Sequence, residues 1–151
     1  MSKNETPMTR WYWKQVGGTL VEEFIVVHGS VDRGKRVLDG IIIPSGEFRI
    51  AKQHEMSIEG KDVVVVQTKV GRLGMHLLGQ ALFSAQLVQR FHPRSVLSVA
   101  LCGKDDAVLR PLFEQHPGMK VVVCPSEATL NRILCNRKKQ HLFFSLLRLI
   151  L

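Results

Sequence analysis

The chain has 151 residues, of which 45% are hydrophobic, so it fits one globular domain and is too apolar for a disordered basic tail. Its net charge of +8 favours an anionic partner, nucleic acid first and a membrane surface second, with a basic surface that has no dedicated partner as the alternative. Because no signal-like apolar segment follows Met1 and no apolar run reaches about 18 residues, we expect a cytoplasmic protein without a transmembrane segment.

The first predicted element is a helix that begins at Thr19, a potential N-cap. Its apolar residues recur at helical spacing and form one stripe: Leu20, Val21, Phe24 and Ile25. Glu22 and Glu23 lie beside this stripe, and the segment 28–30 ends the helix. The aromatic segment 11–13 lies just before it, and either packs against that helix or stacks on bases.

Three strand-like segments follow the predicted helix. Residues 36–43 read as a strand that closes at Pro44-Ser45-Gly46, and residues 48–54 read as a further strand or a hairpin arm. The run of valines at 63–66 is apolar on both faces, which predicts a central strand covered on each side.

The next elements alternate between helix and strand. A long helix begins near Leu77 and stops before Pro93, and its apolar residues lie nearly all round it, which predicts burial against more than one neighbour. Residues 95–102 form a predicted strand, Asp105 or Asp106 caps a helix that reaches about residue 116, and residues 119–124 form a last strand. This order predicts an α/β fold with helices on both faces of a mixed sheet.

The chain divides into two predicted parts. Residues 1–125 form the α/β domain, and residues 126–151 form a basic and apolar extension. This extension either belongs to the same domain or mediates docking on a partner or a homodimer. A weaker alternative is contact with a membrane surface.

Polar residues at the ends of two predicted strands form a candidate site. Residues 63, 65, 67 and 69 share one side of the valine strand, so Gln67 and Lys69 face the same way. Asp39 lies in an apolar strand, where a carboxylate is costly unless it is paired or binds a cation. If the two strands are neighbours, these residues suit Mg²⁺ and a phosphate. The alternatives are a turn at Asp39-Gly40 and a solvated strand end at 67–69.

Together these segments resemble the PD-(D/E)XK nuclease superfamily. Gly18-Thr19-Leu20-Val21-Glu22 is similar to the opening motif of its first helix, Asp39 falls on its aspartate, and Gln67-Thr68-Lys69 falls on its (D/E)-x-K. The resemblance covers the first two thirds of the chain. It implies a restriction-endonuclease-like core and a DNA endonuclease that depends on Mg²⁺ or Mn²⁺.

The resemblance also implies a role for each matching residue. Asp39 is the anchoring metal ligand, Gln67 a neutral ligand beside the Thr68 carbonyl, and Lys69 orients the attacking water. Glu22 supports the water or a second metal, with Glu23 as the alternative. On the following helix, the resemblance nominates Gln80 as an added polar residue.

The chain departs from the family pattern at Gln67, where a carboxylate is usual. A neutral amide oxygen holds Mg²⁺ less tightly than a carboxylate oxygen does. Two alternatives to an active nuclease therefore stay open: a nucleic-acid-binding protein with the nuclease fold, and a scaffold subunit whose C-terminal segment docks on a partner.

Overall fold

The computed structural model describes residues 4–126, which fold as three helices and six strands around one sheet. The elements in chain order are α1 (Glu5–Val16), β1 (Thr19–Val27), β2 (Arg36–Ile43), β3 (Arg49–Ala51), β4 (Asp62–Arg72), α2 (Met75–Val88), β5 (Ser95–Lys104), α3 (Leu109–Glu114) and β6 (Met119–Val123). Short 3₁₀ turns follow β3 at 53–55 and α2 at 89–91.

The sheet is mixed, with the strand order β3-β1-β2-β4-β5-β6. Strand β2 pairs antiparallel with β1 and β4, whereas β4, β5 and β6 run parallel to one another. The valine run lies on β4, which has neighbours on both sides. The prediction of a central strand and of an α/β mixed sheet flanked by helices is therefore confirmed.

Apolar clusters cover both faces of the sheet. On one face, Tyr12 and Trp13 of α1 pack on Leu20, Ile42 and Val66. The other face carries α2 and α3, whose buried residues include Leu77, Ala81, Val88 and Phe113. The aromatic pair at 12–13 is thus core, which favours the packing interpretation of this segment. Helix α2 packs against both β4 and β5, which confirms the predicted burial against more than one neighbour, although Phe83 and Met75 on its outer face are exposed.

The segment predicted as the first helix is a strand. Thr19–Val27 forms β1, and the first helix is α1, which precedes it. Glu23 has a positive φ of 51° and interrupts the alternation of β1. As a result Val21, Phe24 and Val26 belong to the same hydrophobic cluster, although a regular strand would place every second residue on one face. Because this spacing resembles the spacing of apolar residues on one face of a helix, the sequence pattern predicted a helix here.

Two glycines turn the chain sharply from α1 into β1. Gly17 and Gly18 have φ values of 82° and 75°, and a Cβ on Gly18 would lie 2.1 Å from the Ile43 carbonyl oxygen. The Gly18 carbonyl accepts a hydrogen bond of 2.8 Å from Trp13 Nε1. This turn holds α1 against the strand that it precedes.

Three further predictions concern a helix cap, the membrane and the C-terminal segment. Asp106 does cap α3, because its Oδ1 accepts the N–H groups of Val108 and Leu109. Within residues 4–126, no helix is long and apolar enough to cross a membrane. The interaction segment predicted at 126–151 lies, apart from Ser126, outside the described residues.

Candidate functional site

The candidate site lies where the pairing of β2 with β4 stops. The two strands pair over Gly40–Ile42 and Val64–Val66, yet both continue beyond that point. There the Asp39 carboxylate takes the place of a backbone partner, and its Oδ2 accepts the Thr68 N–H at 2.7 Å. We call this place the fork: Asp39 on β2 together with residues 67–69 on β4.

The Asp39 carboxyl group is only partly exposed. Burial raises its pKa above the ordinary value of 3.8, and the negative charge of Glu5 raises it further. The Thr68 N–H and the positive charge of Lys69 act in the opposite direction without cancelling the effect. The fold therefore holds a carboxylate in an environment that disfavours its charge, which is common at functional sites.

Helix α1 brings a second carboxylate to the fork. Glu5 lies in the first turn of α1, is only 8% exposed, and its Oε1 lies 3.2 Å from Lys69 Nζ. Sequence reasoning missed Glu5 because it placed the first helix after residue 17. An acidic residue opening the helical pattern Glu5–Val16 was the signal that could have found it.

Two contacts seat the start of α1 over the fork. Thr9 and Thr68 share a hydrogen bond of 2.8 Å between their Oγ1 atoms. A Cβ on Gly40 would lie 3.2 Å from Thr9 Cγ2, so the glycine after Asp39 allows α1 to approach closely. The dipeptide Asp39-Gly40 is thus part of a strand and not a turn.

Gln67 faces away from α1. Its side chain is buried, and Nε2 donates to Ser84 Oγ on α2 at 2.8 Å. Lys69, in contrast, sends its ammonium group to Glu5 on α1. The expectation that the polar groups of Gln67 and Lys69 point the same way is therefore wrong, because the long lysine side chain at the strand end follows the buried carboxylate.

Glu22 is near the fork but already paired. It lies on β1, opposite Gly40 of β2, and not on the first helix as predicted. Its carboxylate accepts two hydrogen bonds from Arg10 of α1, at 2.7 Å from Nε and 2.9 Å from Nη2. Such a bidentate pair fixes Glu22 as a brace between α1 and the sheet. Its neighbour Glu23 is exposed.

The donor set at the fork consists of oxygen atoms. Within residues 4–126, no group of three or more His, Cys, Asp or Glu residues is placed to hold a metal ion. Glu5 and Asp39 supply two carboxylates, whereas the Gln67 amide faces α2 and donates to Ser84. Oxygen donors of this kind suit a hard divalent cation that keeps several waters.

Comparison with known proteins adds no relative. No family model matches the chain, and neither a curated protein nor a solved structure matches it.

Proposed function

We propose that this protein is a nuclease that hydrolyses nucleic-acid phosphodiester bonds with Mg²⁺ or Mn²⁺, with DNA the favoured substrate. The observation that carries the proposal is the fork, where a half-buried Asp39 lies beside Glu5 and Lys69. Burial costs each carboxylate free energy, which the Lys69 ammonium offsets for Glu5 and the Thr68 N–H offsets only in part for Asp39. A bound cation would offset that cost.

The order of the elements supports the same proposal. Helix α1, strands β1 to β4, helix α2 and strand β5 follow one another along the chain, and a helix, a set of strands, a helix and a strand is the order that the resemblance implies. Asp39 and the segment 67–69 occupy adjacent strands, as that resemblance requires.

Each residue at the fork has a defined task in the proposal. Asp39 anchors the cation, and Glu5, whose negative charge acts on Asp39, takes the second acidic position in place of Glu22. When bound, Mg²⁺ polarises the scissile phosphate and acidifies a coordinated water. The ion pair with Glu5 keeps the Lys69 ammonium at the fork, where it orients the water and offsets charge that develops on the phosphate oxygens.

One observation favours a second candidate function, nucleic-acid binding without cleavage. The amide nitrogen of Gln67 is engaged by Ser84, on the face opposite α1. If its amide oxygen does not reach the cation, two carboxylates remain, and the metal site is weak. The net charge of +8 still attracts the phosphate backbone.

A plasmid-nicking assay with Mg²⁺ tests the proposal. Asp39→Asn keeps an acceptor for the Thr68 N–H but removes the charge, so we expect cleavage to fall by about 100-fold or more. Asp32→Asn is the matched control, since Asp32 is an exposed loop carboxylate, and it should cleave like the parent. EDTA should stop cleavage by the parent and by Asp32→Asn.

The other outcomes separate the alternatives. A parent that binds DNA in a salt-dependent way without nicking it supports the second candidate. A parent that does neither supports a scaffold role. Equal cleavage by the parent and Asp39→Asn contradicts the assignment of the site.

A further inference from the structure

A groove of about 540 Å³ lies between the start of β2 and helix α2, on the sheet face opposite α1. Its wall includes Arg36 and Leu38 from β2, Gln67 from β4, and Gln80 and Phe83 from α2. A volume of this size falls within the range of small-ligand sites, about 300–1,000 Å³. The proposed mechanism gives no task to these five residues.

The groove combines an exposed aromatic ring with amide groups. Phe83 is 62% exposed although it lies on a helix with a buried face. An exposed phenyl ring offers a flat apolar surface to another ring. Gln67 and Gln80 each carry a donor and an acceptor, which is the pattern that reads the edge of a base.

Two features pre-organise the groove. The hydrogen bond from Gln67 Nε2 to Ser84 Oγ orients the Gln67 amide in a buried position. Leu38, which is fully buried, forms part of the apolar wall. At the exposed rim, Arg36 supplies a cation. The phenyl ring suits the face of a base, the amides suit the polar edge of a base, and the cation suits a phosphate.

The groove adjoins the fork along both strands. Leu38 precedes Asp39 on β2, and Gln67 precedes Thr68, whose N–H binds the Asp39 carboxylate. The groove opens on the sheet face opposite α1, whereas Glu5 and the Lys69 ammonium lie on the α1 side.

We propose that this groove binds one unpaired nucleobase, which stacks on Phe83 and contacts the amides of Gln67 and Gln80. This inference rests on the proposed function, because it takes the substrate to be nucleic acid. A base can enter such a groove only when it is unpaired or flipped out of the helix. The preferred substrate is therefore single-stranded or locally unpaired nucleic acid, and not a regular duplex.

Fluorescence anisotropy on the full chain in EDTA tests the inference without cleavage. The probes are a labelled single-stranded DNA oligonucleotide and a duplex of the same sequence. Phe83→Ala should weaken single-strand binding by about 5- to 100-fold, as expected for loss of one base–aromatic stack, with little change on the duplex. Phe83→Trp should restore it. The control is Val108→Ala, because Val108 is 69% exposed and lies outside the groove.

The possible outcomes distinguish failure of the base site from failure of the proposed function. Unchanged single-strand binding by Phe83→Ala, or an equal loss on both probes, overturns the base site while leaving Asp39-dependent cleavage untouched. Absence of Mg²⁺-dependent cleavage by the parent overturns the proposed function while leaving the base site standing. A parent that binds neither probe overturns both.

Discussion

Asp39 should reduce the stability of the metal-free protein at neutral pH, and its substitution by asparagine should show this. The carboxyl pKa is raised by burial, so the folded state binds the proton more tightly than the unfolded state does. Stability linked to this group is therefore present below the ordinary pKa of 3.8 and is lost as the pH rises through the higher folded value. An asparagine side chain carries no charge, so Asp39→Asn should be at least as stable as the parent at neutral pH.

The hydrogen bond between Asp39 and Thr68 determines how much less stable Asp39→Ala should be than Asp39→Asn. The Asp39→Asn variant keeps an oxygen that accepts the Thr68 N–H, whereas alanine leaves that N–H without its 2.7 Å side-chain acceptor. An unsatisfied buried donor costs about 1–3 kcal/mol, so Asp39→Ala should be less stable than Asp39→Asn by this amount.

Urea unfolding in EDTA, followed by tryptophan fluorescence, measures both effects. The advantage of Asp39→Asn over the parent should shrink between neutral pH and a pH near the ordinary carboxyl value. The reasoning is refuted if Asp39→Asn is as unstable as Asp39→Ala, or if its difference from the parent does not change with pH.

Four further substitutions test other parts of the structure. Lys69→Met should lower the cleavage rate by about 100-fold in the nicking assay, with an unchanged circular dichroism spectrum, because the Lys69 side chain is 51% exposed. Gln67→Glu should lower the Mg²⁺ concentration needed for cleavage, and should reduce urea stability in EDTA because it buries a charge. Trp13→Ala should cost about 3–5 kcal/mol in urea unfolding, since a buried ring is lost. Gly18→Ala should cost more than about 2 kcal/mol in the same measurement, since its Cβ would clash with Ile43.

The strands of the core were predictable because their signals are local. The valine run at 63–66 and the apolar segments at 36–43, 95–102 and 119–124 each show the residues that favour a buried sheet. Their order was enough to predict a mixed sheet between helices. The pairing of β2 with β4 was only a condition of the predicted site, because residues 44–61, which include β3, separate the two strands along the chain.

The pattern of residues 19–27 predicted a helix where the structure has strand β1. The positive φ of Glu23 shifts the side-chain alternation of β1, and this backbone feature leaves no mark in the residue types. The error moved the expected acidic residue from Glu5 to Glu22. Glu5 reaches the fork only because α1 packs across the sheet through Thr9 and Gly40, which is a tertiary effect.

The direction of the side chains on β4 was only partly predictable. Alternation places Val63, Val65 and Gln67 on one face, and these three lie there. Alternation does not determine the position of the end of a long side chain, and the ammonium group of Lys69 lies at the Glu5 carboxylate on α1. The candidate site therefore shares Asp39 and Lys69 with the sequence prediction but adds Glu5.

Binding of Mn²⁺ tests most directly whether the fork is a metal site. Electron paramagnetic resonance measures free Mn²⁺ in a titration of the full chain, with Asp39→Asn and the exposed-loop control Asp32→Asn in parallel. We expect the parent and Asp32→Asn to bind one ion per chain, and Asp39→Asn to lose that binding, because the anchoring carboxylate is absent. Equal Mn²⁺ binding by the parent and Asp39→Asn would contradict the assignment of the fork as a metal site.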